Sequence, residues 1–256
     1  PSPPASGQGA MMQYLRLVLR RFIGPWMGGL LLLFLALQCV FAVRIATMAW
    51  VAPSSTTFER SEQWRLAHSP SPLRWQQEWV DLNHISVHLQ RAVIVSEDDL
   101  FLQHAGVQWD ALEKARERNE RASAQAQRQG RKQSRVVGAS TITQQLAKNL
   151  FLSGERTWLR KGQELILTLM LEALLDKRRI LEIYLNHVEW GEGIFGAQAA
   201  ARHYFGKSAA DLSEWEAARL AVMLPRPKWF QKNPESLYWA ERSEVILVRM
   251  AGVKTP

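Results

Sequence analysis

The chain has 256 residues, with 32 Lys and Arg against 24 Asp and Glu, and a formal net charge of +8. That length holds one sizeable core, and the basic balance points to an anionic partner: nucleic acid, acidic lipid or a phosphorylated substrate. A single cysteine, Cys39, excludes a disulfide framework and a cysteine-rich metal site.

The sequence opens on Pro1 rather than Met, so the natural start is expected to be missing or processed. Residues 1–10, PSPPASGQGA, have the composition of a disordered segment. Ile23 to Val43 is a nearly unbroken apolar run of 21 residues, with Gln38 the main exception. It matches the ~20 residues that span a bilayer and exceeds the ~7–15 of a cleaved signal peptide's apolar core. Arg16, Arg20 and Arg21 precede the run and Arg44 follows it, which puts the N-terminal side in the cytoplasm. The expected organisation is a cytoplasmic segment (1–22), a transmembrane helix (23–43), a juxtamembrane linker rich in Pro, Ser and Thr (44–74) and a globular domain (75–256).

In HISVHLQRAVIV, His84 and His88 stand four apart, a spacing that suits a metal on a helix. The sequence sets no third ligand beside them, so a metal site there is not favoured. SEDDLFLQHAGVQWDAL follows. An apolar run ends abruptly on Glu97, Asp98 and Asp99. Such a cluster is either an acidic helix start or a carboxylate at the rim of a cleft. Lys114 to Arg135 carries eight Lys or Arg and two Glu, with few apolar residues. Lacking the interleaved aromatics that stack single-stranded nucleic acid, it reads as a mobile, solvated insertion suited to anionic head groups.

GASTITQQLAKNLFL, from Gly138 to Leu152, opens a helix with a capping box, Thr141 and Gln144. Thr141, Gln145 and Lys148 share one face while Ile142, Leu146, Leu150 and Phe151 are free to pack. A hydroxyl, an amide and an ammonium at a helix N-terminus suit a phosphate; from spacing alone, a capped amphipathic helix whose polar face meets water is the commoner arrangement. The next helix, about Thr157 to Asp176, is apolar nearly all round and is expected to be buried. Glu164, Thr168 and Glu172 form its one polar stripe. A buried carboxylate needs a partner. Arg160 and Lys161, one turn earlier, could pair with Glu164 as a local ion pair, or Glu164 could face an active-site cleft. Beyond it, KRRILEIYLN continues as helix. Gly191, Gly193 and Gly196 mark a tight loop, a short helix ends at Gly206, and Ser213 with Glu216 caps another that Pro225 and Pro227 end. Ser236 to Val253 is a last amphipathic helix. Strand signals are scarce, so the class is mainly α.

SEDDLFLQHAGVQWDAL, GASTITQQLAKNLFL, RKGQELILTLMLEALL, KRRILEIYLNHVEWGEGIFGAQAAARHYFGK and LSEWEAARLAVMLPRPKWF resemble, in order, the five motifs of the peptidoglycan glycosyltransferases, over about Leu82 to Met250. The likeness is strongest to monofunctional members: no S-x-x-K or K-T-G of a penicillin-binding domain is present. The resemblance implies a mainly α, lysozyme-like domain with a larger globular lobe and a small membrane-proximal lobe, preceded by one transmembrane helix. It implies polymerisation of lipid II into β-1,4-linked glycan strands, with inversion and release of polyprenyl diphosphate. Its partners would be lipid II, the growing glycan strand, the membrane, and other proteins of cell-wall synthesis and division, with no nucleic acid. Its location would be the bacterial inner membrane, with the catalytic domain periplasmic.

By the same resemblance Glu97 is the general base and Glu164 the second essential carboxylate, assisting the departing pyrophosphate with or without a divalent cation (Mg2+ or Mn2+). Lys148, Arg156, Arg160 and Lys161 hold the donor pyrophosphate. Thr141, Gln144, Gln145 and Asn186 contact substrate, and Asp98, Phe101 and His104 support the site. Two departures stand out: Gln108 occupies a position where many relatives carry Asp, and Glu97 and Glu164 are 67 residues apart, wider than the family pattern. The rival functions are a lysozyme-like wall hydrolase and a non-catalytic, membrane-anchored binding protein.

Overall fold

The computed structural model describes residues 24–70, 74–129, 140–152, 154–155 and 157–256. The chain divides into two units, residues 1–47 and 48–256. The first consists, among described residues, of helix α1 (Gly24–Thr47). From Trp26 to Thr47 it is long and apolar enough to cross a membrane, with a mean hydropathy of 2.3. Leu30, Leu31, Leu32 and Leu33 are all exposed, as lipid-facing side chains are and core side chains are not. The helix continues four residues beyond the expected end at Val43. The expected cytoplasmic segment, 1–22, lies outside the described residues.

The second unit is mainly helical. Its helices are α2 (Thr57–Ala67), α3 (Val87–Glu97), α4 (Trp109–Arg128), α5 (Ile142–Phe151), α6 (Trp158–Leu174), α7 (Lys177–His187), α8 (Ala197–Phe205), α9 (Glu214–Met223), α10 (Pro227–Lys232) and α11 (Leu237–Met250). A small sheet joins β1 (Gln76–Gln77), β3 (Ile194–Phe195) and β2 (Glu189–Gly191) in the order β1-β3-β2. β1 runs parallel to β3, with Gln76 opposite Ile194; β2 runs antiparallel to it, with an irregularity between Glu189 and Gly191.

Three expectations change. Much of the supposed linker at 44–74 is folded: α2 begins with a capping box between Thr56 and Glu59, and Leu66 is buried. Its acids explain the surprise, because they are spent inside the protein. Glu59 is fully buried, 2.7 Å from His187 Nδ1, and accepts from Gln77 Nε2 at 2.7 Å. The basic stretch from Lys114 is helical as far as Arg128, bound along its surface by the pairs Arg116–Glu120 and Arg121–Glu117; residues 130–139 lie outside the described set. His84 and His88 do not share a helix. His84 ends a 3-10 turn and His88 belongs to α3.

The buried helix is α7 rather than α6. On α6 only Glu164, Leu167, Thr168 and Leu171 are buried, while Trp158, Leu159, Leu169 and Leu174 are exposed. Every residue from Ile180 to His187 is buried. Its buried polar side chains permit this because each finds at least one partner, although His187 Nε2 has none among the described residues. Glu182 accepts from the Leu82 N–H at 2.7 Å, Asn186 bonds Val80 in both directions at 2.9 Å, and His187 meets Glu59. Elsewhere in the unit, α9 packs against α11 and α3. Trp190 and Trp239 donate their indole N–H groups to Leu220 and Arg219 carbonyls at 3.1 and 2.8 Å.

The loop between β2 and β3 leaves no room for a side chain at Gly193. Gly193 has φ +73°, and a Cβ there would stand 1.9 Å from the Arg74 carbonyl oxygen. We predict that Gly193→Ala costs about 2–3 kcal/mol, read as a lowered denaturation midpoint of the detergent-solubilised chain.

Beside that loop, Lys228 donates to Glu62 at 2.7 Å and lies 3.2 Å from Glu189, an ion pair poorly aligned for a hydrogen bond. Burial pushes the Glu189 carboxyl up to about 7, with Lys228 pulling the other way. Burial also works against Glu62, but hydrogen bonds from Arg65 and Lys228 hold it below its usual value. Between the ordinary carboxylate value and about 7, the folded state keeps a proton on Glu189 that the unfolded chain releases. This group therefore adds stability as pH falls through that window. Glu189→Gln should flatten the dependence of the urea midpoint on pH between about 5 and 7.

Candidate active site

Glu97 is the last residue of α3. Ser86 caps the start of that helix, and Leu89, Ala92, Val93, Ile94 and Val95 bury its inner face. The carboxylate emerges half-buried at the helix end. Gln145 Nε2 donates to Glu97 Oε2 at 2.8 Å, and the buried Tyr184 hydroxyl donates to Gln145 Oε1 at 3.0 Å. Burial raises the Glu97 carboxyl above its ordinary value. The Asp98 charge adds to the rise; the bonds from Gln145 and Ser96 and the Lys148 ammonium oppose it.

Asp98 is the C-cap of α3 and is 4% exposed. Its Oδ1 meets His104 Nε2 at 2.8 Å and Gln108 Nε2 at 2.6 Å; its Oδ2 accepts the Ile142 N–H at 3.0 Å. His104 Nδ1 accepts from the Gly106 N–H at 3.0 Å, so Nε2 carries the proton given to Asp98. Phe101 is fully buried below this junction, with Lys177 Nζ 4.5 Å from its ring centroid. Gln108, the position that departs from the resemblance, is thus a donor to Asp98 that an aspartate could not be while ionised.

Thr141 and Gln144 make the expected capping box. The Thr141 hydroxyl also donates to the Gly106 carbonyl at 2.6 Å. Both side chains are buried, and their polar groups serve the start of α5. Asn186, expected at the substrate, is 1% exposed and gives both amide donors to backbone carbonyls of Val80 and Glu182. The Thr141 hydroxyl, the Gln144 amide oxygen and the Asn186 amide are thus bonded within the fold. Gln145 and Lys148, further along α5, are half-buried and exposed in turn.

Helices α5 and α6 run antiparallel. Thr143 near the start of one donates to Glu172 near the end of the other at 2.6 Å. Glu164 is 3% exposed. One oxygen accepts from Arg160 at 2.8 Å and the other pairs with Lys161. Arg160 Nε is buried without an acceptor among the described residues, a donor still to be satisfied. Arg156 lies outside the described residues. With both Glu164 oxygens already held by cations, this carboxylate does not fit a divalent ion. Among the described residues no group of three or more His, Cys, Asp or Glu is arranged to hold one.

The described residues thus include one carboxylate with a raised proton affinity within reach of the Lys148 charge, and a second held between two cations. Sequence reasoning passed over Tyr184. A tyrosine in the apolar run ILEIYLN gives no signal other than its hydroxyl, which must find a partner if buried.

A transglycosylase family model matches residues 67–251. Proteins named biosynthetic peptidoglycan transglycosylase are similar over most of the chain. The one from Burkholderia multivorans is 49% identical over 223 residues, 87% of this chain and 86% of that protein. The one from Janthinobacterium sp. (strain Marseille) is 50% identical over 225 residues, 88% and 93% of the two chains. The one from Burkholderia vietnamiensis is 46% identical over 235 residues, 92% and 89%. The chain belongs to the transglycosylase family.

Because Asp98 accepts from three donors on two sides, Asp98→Asn turns one accepting edge into a donor facing a donor. The expected cost is about 2 kcal/mol or more, measured by chemical denaturation, with Asp98→Glu failing to restore it.

Proposed function

We propose that this chain is a peptidoglycan glycosyltransferase that polymerises lipid II. The observations that support the reading are a half-buried carboxylate, Glu97, held by Gln145 within reach of the Lys148 charge, and a buried Glu164 that holds Arg160 and Lys161. Glu97 takes the proton from the 4-hydroxyl of the acceptor sugar. That oxygen forms a bond to the donor's anomeric carbon as the carbon–diphosphate bond breaks on the opposite face, so the α-linked donor becomes a β-1,4 link. The electron pair leaves with the polyprenyl diphosphate. Lys148, Arg160 and Lys161 stabilise the charge that grows there. Glu164 keeps Arg160 and Lys161 in place and offsets their charge until the diphosphate arrives, and the open Arg160 Nε is a donor for it.

A raised proton affinity suits a base working near neutral pH, since a carboxylate at its ordinary value is a weak acceptor. Hydrolysis of a neutral glycan would have no use for three cations around the leaving group, which favours transfer from a diphosphate donor. The exposed apolar helix α1 supports a single-pass anchor. Arg16, Arg20 and Arg21 ahead of it favour an inner-membrane orientation with residues 48–256 on the periplasmic side.

Purified full chain should polymerise lipid II, and Glu97→Gln should lower the rate by about 10²–10⁴-fold without changing the thermal midpoint. The wild-type rate should fall on the acid side with a midpoint above the ordinary carboxylate value of 4.5. Polymer formed at the wild-type rate by Glu97→Gln would reject the assignment. Soluble muropeptides released from intact wall would instead support the hydrolase.

A further inference from the structure

We propose that Tyr184 is a positioning residue for proton transfer, acting on Glu97 through the carboxamide of Gln145. The inference rests on Glu97 as the base, and it concerns a residue two hydrogen bonds away from the substrate side of that carboxylate.

Tyr184 sits on the buried helix α7 and is 1% exposed. Its one polar atom has a single hydrogen-bond partner among the described residues, Gln145 Oε1. A carboxamide can be seated in two ways related by a half-turn, and the two are nearly equal in shape. Here they are unequal in chemistry. In the observed seating the hydroxyl donates to the carbonyl oxygen and the amino group donates to Glu97. Turned over, the carbonyl would face an ionised carboxylate, and the amino group would face a hydroxyl whose own hydrogen has no acceptor. A buried orphan donor costs about 1–3 kcal/mol. Tyr184 thereby fixes which end of Gln145 meets Glu97, and that end is the one that favours the ionised, proton-accepting form.

The other groups around Glu97 do not supply this selection. On its own helix end, Asp98 opposes ionisation and the Ser96 hydroxyl supports it; from α5, the Lys148 charge supports it. His104 and Gln108 are committed to Asp98. Tyr184 itself stays a neutral donor, because burial and the nearby Glu97 and Asp98 charges push its ionisation far up.

The test measures initial rates of lipid II polymerisation by the full chain between about pH 5 and 9. Tyr184→Phe keeps the ring and removes the donor. The acid limb of kcat/KM should move to higher pH by about half a unit or more, while the rate well above the limb stays near the wild-type value. In a Gln145→Ala background the same change should leave the limb where Gln145→Ala alone puts it. Should Tyr184→Phe fail to fold, 3-fluorotyrosine at position 184, a stronger donor of nearly the same shape, should move the limb down. A residue needed only for packing would change the amount of active protein and leave the limb fixed; an unmoved limb in the folded variant, with Glu97→Gln inactive, overturns the proposal alone. Polymerisation surviving in Glu97→Gln removes the base assignment and this proposal with it.

Discussion

The carboxylate of Asp98 is the junction on which the site is built. It stops α3 one residue after Glu97 and receives the first N–H of α5, so two helices meet on its two oxygens. The loop between them is gathered to the same point through His104 and Gln108. A charged acceptor with three donors is a stiff connection in a buried setting. It fixes the end of the helix that carries Glu97 against the helix that carries Gln145 and Lys148. Gly106 closes the arrangement from below: at φ +86° it passes its backbone close to Thr168 and Glu172 of α6, where a Cβ would meet Thr168 Cγ2 at 2.7 Å.

Much of the fold was legible because the helix signals were local. The capping boxes at Thr141 and Ser213, the apolar spacing of α3 and α5, and the glycine that ends α8 at Gly206 each depend on a few neighbouring residues. The errors came where distant contacts decide. α2 reads as a polar linker because its acids find His187, Gln77 and Lys228 only after the chain has folded back on itself. α6 reads as buried from its leucines, yet α7, richer in polar residues, takes the centre because partners far along the chain satisfy them. Amphipathic pattern reports how apolar a helix is, not which of two apolar helices the core will enclose.

The site was legible to a similar depth. Glu97, Glu164, Arg160 and Lys161 announce themselves as charges where apolar sequence leads one to expect none. Thr141, Gln144 and Asn186 share the same motifs, yet their bonds turn inward to the backbone. Residue type and spacing alone do not separate a side chain that meets a ligand from one that holds the wall behind it. Tyr184 shows the converse: an unremarked aromatic in a core helix whose single hydroxyl bonds the amide that holds Glu97.

Position 108 carries a further consequence. Gln108 gives Asp98 an uncharged donor, so the buried junction holds one negative charge at any pH where Asp98 is ionised. An acid in place of Gln108 would set two carboxyl groups within hydrogen-bond reach in a buried setting, where they must share a proton or draw in a cation. The contact that Gln108 makes with Asp98 is a hydrogen bond from a group that does not titrate.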